Sequence, residues 1–154
     1  MAQGKAAATT EDTFVLEISR RLKAPREAVF RAWTEPEALS AWMGPEGVQT
    51  RDVKVDLRVG GGYSLVMDGK DGGEHALSGV YKEISPPEKL VFTFAWGQGD
   101  LKDLEMLVTL TFAEVEGGTL MTLVQERIPR ETARQAHKEG WTSAFTCLEG
   151  YLAA

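Results

Sequence analysis

A chain of 154 residues, 43% hydrophobic and 26% charged, has the make-up of an ordinary globular domain and can bury roughly 68–70% of its unfolded surface. A formal charge of −6 speaks against nonspecific nucleic-acid binding, the single cysteine Cys147 excludes an intrachain disulfide, and no apolar run approaches the ~20 residues that span a bilayer. A cytoplasmic protein is expected, with one domain over 14–154 behind a disordered tail at 1–13 rich in Ala, Thr, Gly and Lys.

Phe14, Leu16 and Ile18 alternate with Val15, Glu17 and Ser19, and the alternation continues through Leu22, which predicts a first strand. Ala24-Pro25 ends it. Pro25 suits the first position of a short helix striped by Ala28, Val29, Ala32 and Trp33. Thr34, three residues before Glu37, resembles a capping box for a second short helix that carries Leu39, Trp42 and Met43 and stops at Gly44-Pro45-Glu46-Gly47. From Val48 onward six strands are expected. Val53, Val55 and Leu57 mark one; Gly60-Gly61-Gly62 then bends the chain into Tyr63, Leu65 and Met67. The remaining strands are predicted over 74–84, 90–96, 104–114 and 119–127, separated by turns at 68–73, 85–88 and 116–118.

Residues 130–152 are predicted as one long helix. His137, Trp141, Ala144, Phe145, Leu148 and Leu152 recur at spacings of three and four, while Lys138, Glu139, Thr142, Ser143 and Glu149 take the opposite side. At about 1.5 Å per residue the helix is roughly 34 Å long, enough to cross a whole sheet. Gly140 in its middle costs about 1 kcal/mol against alanine. Such a glycine marks close approach of a backbone or of a bound group, so space beside Trp141 is expected. Seven strands with so few helices must curl around the last one and leave one face to solvent.

Seven segments, in order, resemble the signatures of the SRPBCC (START-like) superfamily. They are Ala24-Pro25-Arg26-Glu27-Ala28-Val29-Phe30, Trp33-Thr34-Glu35-Pro36-Glu37, Trp42-Met43-Gly44-Pro45, Asp56-Leu57-Arg58-Val59-Gly60-Gly61, Gly79-Val80-Tyr81-Lys82-Glu83-Ile84, Pro87-Glu88-Lys89-Leu90-Val91 and Gly140-Trp141-Thr142-Ser143. Within the superfamily the chain is similar to bacterial proteins like the C-terminal domain of the activator of the heat-shock-protein-ninety ATPase. The resemblance implies an α+β helix-grip (START-like, Bet v-like) fold: a curved antiparallel sheet around a long C-terminal helix, with two short helices after the first strand and an apolar cavity under the last. Functions in the superfamily range from carriers to cyclases and co-chaperone domains. Two departures are the Trp42-Met43 pair, where relatives often carry paired tryptophans, and Pro129-Arg130-Glu131, where a Ser or Thr often caps the last helix.

The bulky residues predicted to face that helix are Leu16, Ile18, Tyr63, Leu65, Met67, Phe92, Phe94, Trp96, Met106, Val108, Leu110, Met121 and Leu123. They read either as plain core or as the walls of an adaptable small-molecule pocket. Arg20 shares their parity, and an inward charge must be paired or must meet an anion; Glu126, Glu105 and Glu83 are its candidate partners. His137 is either a hydrogen-bonded structural residue or a ligand contact. No HExxH, paired-cysteine or histidine-cluster pattern suggests a metal, Gly60-Gly61-Gly62 lacks the Lys-Ser or Lys-Thr of a phosphate loop, and Ser78 lacks a nucleophile elbow. No cofactor is expected.

The expected function is enclosure of a small, mostly apolar molecule. Trp42, Tyr63, Met67, Phe92, Phe94, Trp96, Met106, Val108, Trp141 and Phe145 form the expected site, and Arg20, Tyr81 and His137 supply its polar contacts. An enzyme of cyclase, hydratase or isomerase type would draw its acid or base from His137, His75, Glu126 or Tyr81. A chaperone-interacting module, and a homodimer through the edge strands, are the alternatives that use the surface.

Overall fold

Alternating residues become strands and the three- and four-residue spacings become helices, in an order close to that expected. The computed structural model of the protein describes residues 13–69 and 72–153. Strand β1 (Phe14–Leu22) leads to helices α1 (Arg26–Thr34) and α2 (Pro36–Trp42). There follow β2 (Gln49–Val55), β3 (Gly62–Asp68), β4 (Glu74–Ser85), β5 (Lys89–Trp96), β6 (Met106–Val115), β7 (Gly118–Ile128) and the long helix α3 (Glu131–Ala153). The expected tail lies, apart from Thr13, outside the described residues, as do positions 70 and 71 of the turn after β3.

All seven strands form one sheet in the order β1-β7-β6-β5-β4-β3-β2, each neighbour antiparallel. Strands β2 to β7 are a meander, and β1 closes beside β7. Register aligns the inward positions into rows: Leu16, the buried polar Gln125, Val108, Phe92 and Tyr81 face one another across five strands, and Ile18, Leu123, Leu110, Leu90 and Ile84 across the same five. Partners opposite one another share a face, so both rows meet the helices. Register shifts at Phe14/Leu16, Arg51/Lys54 and Tyr81/Glu83 bend the sheet.

Two glycine positions serve the bend. Gly60 has φ +89°, and a Cβ on Gly61 would lie 2.3 Å from the Asp56 carbonyl oxygen, so the chain turns tightly there and pairs with Tyr81 on β4. At Gly79 a Cβ would lie 1.9 Å from the Thr93 carbonyl oxygen and 2.6 Å from the Tyr63 ring, so only glycine lets that ring lie across β4.

Helix α3 lays Ala133, His137, Trp141, Ala144, Phe145 and Leu148 into the concave side. The result is an α+β helix-grip fold. The expected inward residues share one core, in which Ile18 and Trp96 are partly rather than fully buried. Among the described residues no helix is long and apolar enough to cross a membrane.

The expected capping box does not form. Thr34 is the last residue of α1, and its hydroxyl donates to the Phe30 carbonyl at 3.0 Å, one turn back. That acceptor lies within the same helix, so the side chain never reaches α2. The N-cap of α2 is Glu35, with Pro36 in the first turn. Pro25 likewise sits one position earlier than expected, as the N-cap of α1.

Candidate functional site

Between α3 and the concave sheet lies a cavity of about 320 Å³. Strands β3 and β5 supply Met67, Phe94 and Trp96, and the turn after α2 supplies Met43, Gly44 and Pro45. Leu101 from the β5–β6 connection and Ala136, His137, Gly140, Trp141 and Ala144 from α3 complete the wall. Residues 136, 140 and 144 are small and four apart, so one side of the helix is shaved back where bulkier residues would fill the space. The expected space beside Trp141 is this cavity. The atom nearest to a Cβ built on Gly140 is the Pro45 Cγ, 4.0 Å away, so the glycine marks open room and not a backbone contact.

The polar atoms of the walls are already engaged. The Trp96 Nε1–H donates to His137 Nε2 at 3.1 Å, and an indole nitrogen can only donate, so Nε2 is an acceptor and the His137 proton sits on Nδ1, 2.7 Å from the Ala133 carbonyl oxygen. His137 is therefore a neutral imidazole of fixed tautomer. Burial holds its pKa below the ordinary value, partly offset by the bond to Ala133. The Trp141 Nε1–H donates to Gln125 Oε1 at 2.8 Å, and the Gln125 amide reaches Met106 Sδ at 3.3 Å. Trp33 donates to Met121 Sδ at 3.2 Å and Trp42 to the Ala32 carbonyl at 2.8 Å. All four indole N–H groups thus have partners inside the protein, and the cavity meets rings rather than donors.

Those rings brace one another. Phe94 lies 5.4 Å from Trp96, 5.7 Å from Trp141 and 5.9 Å from His137 between centroids. Trp141 continues to Trp33 at 5.8 Å and Phe145 at 5.7 Å. Such pairs fix ring orientation and contribute about 0.5–1.5 kcal/mol each beyond burial.

Of the thirteen residues expected at the site, the structure brings Met67, Phe94, Trp96, His137 and Trp141 together on this wall. Tyr63, Tyr81 and Phe92 line a second, smaller void of about 20 Å³ with Trp33, Leu39, Met43 and Leu65. Trp42, Met106, Val108 and Phe145 are packed into the core away from both spaces. Arg20 faces neither. Its guanidinium pairs with Glu149 at 3.1 Å, donates to the Thr142 carbonyl at 3.3 Å and lies 6.0 Å from the Phe145 ring centroid. The expected strand partners are not used, because α3 crosses over β1 and brings its own carboxylate; Glu105 meets Arg127 and Glu83 meets Lys89. His75 is exposed, with its ring 6.5 Å from Trp96.

Gly44, Pro45, Leu101 and Ala136 are wall residues that the strand and helix patterns do not mark, and Met43, expected on the second short helix, also lines the wall. Gly44, Pro45 and Leu101 lie in turns, where no periodicity assigns a face. The small-residue spacing at 136, 140 and 144 is the signal that leads to Ala136.

The fold is shared with solved bacterial proteins. A protein from Chromobacterium violaceum is 28% identical with a TM-score of 0.80, over 92% of this chain and 99% of that one. A protein from Rhizobium leguminosarum is 30% identical with a TM-score of 0.80, over 92% and 95%. An AHSA1 protein from Silicibacter pomeroyi is 26% identical with a TM-score of 0.81, over 91% and 98%. No curated protein matches. The model of the family described as activator of Hsp90 ATPase homolog 1-like protein matches residues 23–153, nearly the whole described chain, and the chain belongs to that family.

Proposed function

We propose that the protein binds a small, mostly apolar molecule in the cavity beneath α3. The observation that carries this reading is a space of about 320 Å³ walled by ring faces, methionines and a shaved-back helix, in which every indole N–H already has a partner. The volume is about twice that of an engineered 150 Å³ cavity that holds benzene, so a molecule of two fused rings, or an alkyl chain of similar bulk, fits. Burying ~200 Å² of its apolar surface contributes about 5 kcal/mol, much of it offset by the cost of association, so micromolar to millimolar affinity is expected for a purely apolar ligand. The family fold is generally a ligand-binding scaffold, which supports the same reading.

Binding is favoured over turnover because His137, the imidazole on the wall, has both nitrogens engaged, and among the described residues no Asp, Glu, Lys or Arg lines the space. The family is named for an activator of a chaperone ATPase; contact with a chaperone would use the outer surface and would be indifferent to the cavity.

Native mass spectrometry of freshly purified protein tests the proposal. A small neutral compound that co-purifies with the wild type and is missing from Ala144→Trp, whose new side chain fills the cavity, is the expected result. A compound retained equally by both proteins would contradict it.

A further inference from the structure

Met43 lines both the large cavity and the small void behind it. Its backbone is held at both ends: its N–H donates to the Leu39 carbonyl at 2.9 Å, and its carbonyl accepts from the Thr50 hydroxyl. Its side chain, 5% exposed, is unbranched, and methionine changes rotamer at little cost. Of the residues lining the two spaces, Met43 is the one they share, so a swing of its side chain would join them.

The inner space contains a polar group with nothing to do. Tyr81 is 2% exposed, yet its hydroxyl has no hydrogen-bond partner among the described residues. Its neighbour Tyr63, 5.7 Å away between ring centroids, donates to the Thr93 carbonyl at 2.8 Å. A buried hydroxyl without a protein partner is an exception that calls for a physical reason, because no protein group takes the place of the hydrogen bonds it makes in solution. The other hydrogen-bonding side chains that line the two spaces, Trp33, Tyr63, Trp96, His137 and Trp141, all have partners.

Building on the ligand-binding reading above, we propose that the void behind Met43 is the inner end of the ligand site, where the Tyr81 hydroxyl donates a hydrogen bond to a neutral acceptor oxygen on an otherwise apolar ligand. The acceptor is a ketone, ester or amide oxygen. It is not a carboxylate, since among the described residues no cationic side chain lines either space and an uncompensated buried anion is expensive. Burial pushes the Tyr81 pKa up to about 12, so the hydroxyl keeps its proton, and its capacity to donate, throughout the physiological range.

Two planar probes of matched shape isolate the oxygen: 2-acetylnaphthalene and 2-isopropenylnaphthalene, which carries a methylene in place of the carbonyl oxygen. Each is titrated into wild type and Tyr81→Phe, and dissociation constants are read from tryptophan fluorescence. The wild-type preference for the ketone, taken relative to the preference of Tyr81→Phe, is expected to be roughly two- to tenfold, the range of a neutral hydrogen bond. Met43→Ala, with the partition removed, should keep the preference and bind the ketone more tightly. Equal preference in wild type and Tyr81→Phe, with both probes bound, would overturn the proposal and leave the ligand-binding reading intact. Failure of both probes to bind the wild type would overturn both. A measurement on the wild type alone guards against a misfolded variant: the infrared carbonyl stretch of bound, carbon-13-labelled ketone should lie at the lower frequency of a hydrogen-bonded group, and a stretch at the free position would refute the assignment.

Discussion

Alanine at Gly140 should make the protein more stable. Gly140 lies in the middle of the 23-residue α3, where glycine is about 0.8–1.0 kcal/mol less favourable than alanine because it has more backbone freedom to lose. The added methyl meets no atom closer than the Pro45 Cγ at 4.0 Å, an ordinary contact distance, so no repulsion offsets the gain. An increase of about 1 kcal/mol in unfolding free energy is expected, a rise in Tm of roughly 2–4 °C for a domain of this size. The same methyl enters the cavity. A bicyclic probe sized to the wild-type space should therefore bind less tightly even as the fold gains stability, a trade common at functional sites. Gly150 is the control: it lies on the same helix with nothing within 4 Å of an added Cβ and lines none of the cavity, so Gly150→Ala should leave probe binding unchanged. Thermal and urea unfolding of the three proteins, with probe titrations alongside, decide the matter. A Gly140→Ala variant less stable than wild type would mean that α3 packs more closely than described and that the space beside Trp141 is not there.

His137 should make stability depend on pH with a definite sign. Its folded pKa is lowered, so below about 6.5 the unfolded chain binds the proton more readily, and the contribution of neutral His137 is complete above that value and is lost as pH falls toward the folded pKa. The stability difference between wild type and His137→Gln should shrink on acidification by at most about 1.4 kcal/mol per pH unit in that window, and a difference that does not change with pH would show that the imidazole is not held neutral. Gln125→Leu removes the acceptor of the Trp141 N–H within the core and should cost about 1–3 kcal/mol in urea unfolding. In a double-mutant cycle with Trp141→Phe the two changes should couple by at least 0.5 kcal/mol, roughly, and strict additivity would refute the bond.

Strand and helix periods were readable because most inward positions are apolar, with Arg20 and Gln125 as the polar exceptions. Leu16, Val108 and Phe92 declare their face by alternation alone, as do Trp141, Phe145 and Leu148 by helical spacing. Parity also placed Arg20 on the inner side of β1. It did not identify Glu149 as the partner, because that pairing depends on where α3 crosses the sheet. The cavity itself was half legible: Gly140 announced room, but the split between the space beside Trp141 and the void beside Tyr81 follows from sheet curvature. That curvature arises at register shifts such as Tyr81/Glu83, which alternation does not reveal. Thr34 shows a local motif losing to a nearer acceptor, since the Phe30 carbonyl one turn back was available before α2 began. Met43, expected on the second short helix with Leu39 and Trp42, is its C-terminal cap and lines both spaces, a position the helical spacing did not distinguish.

The most direct test of the central proposal is a paired titration of 2-acetylnaphthalene into wild type and Ala144→Trp, followed by tryptophan fluorescence, with unfolding curves to establish that both proteins are folded. Ala144 is 2% exposed and lies on the cavity wall, so the new indole occupies the space a ligand would take. Saturable quenching in the wild type, weakened by about tenfold or more in a folded Ala144→Trp, is the expected result, a loss of roughly 1.4 kcal/mol or more in binding free energy. Equal binding by the two folded proteins, or no saturable binding by the wild type, would contradict it.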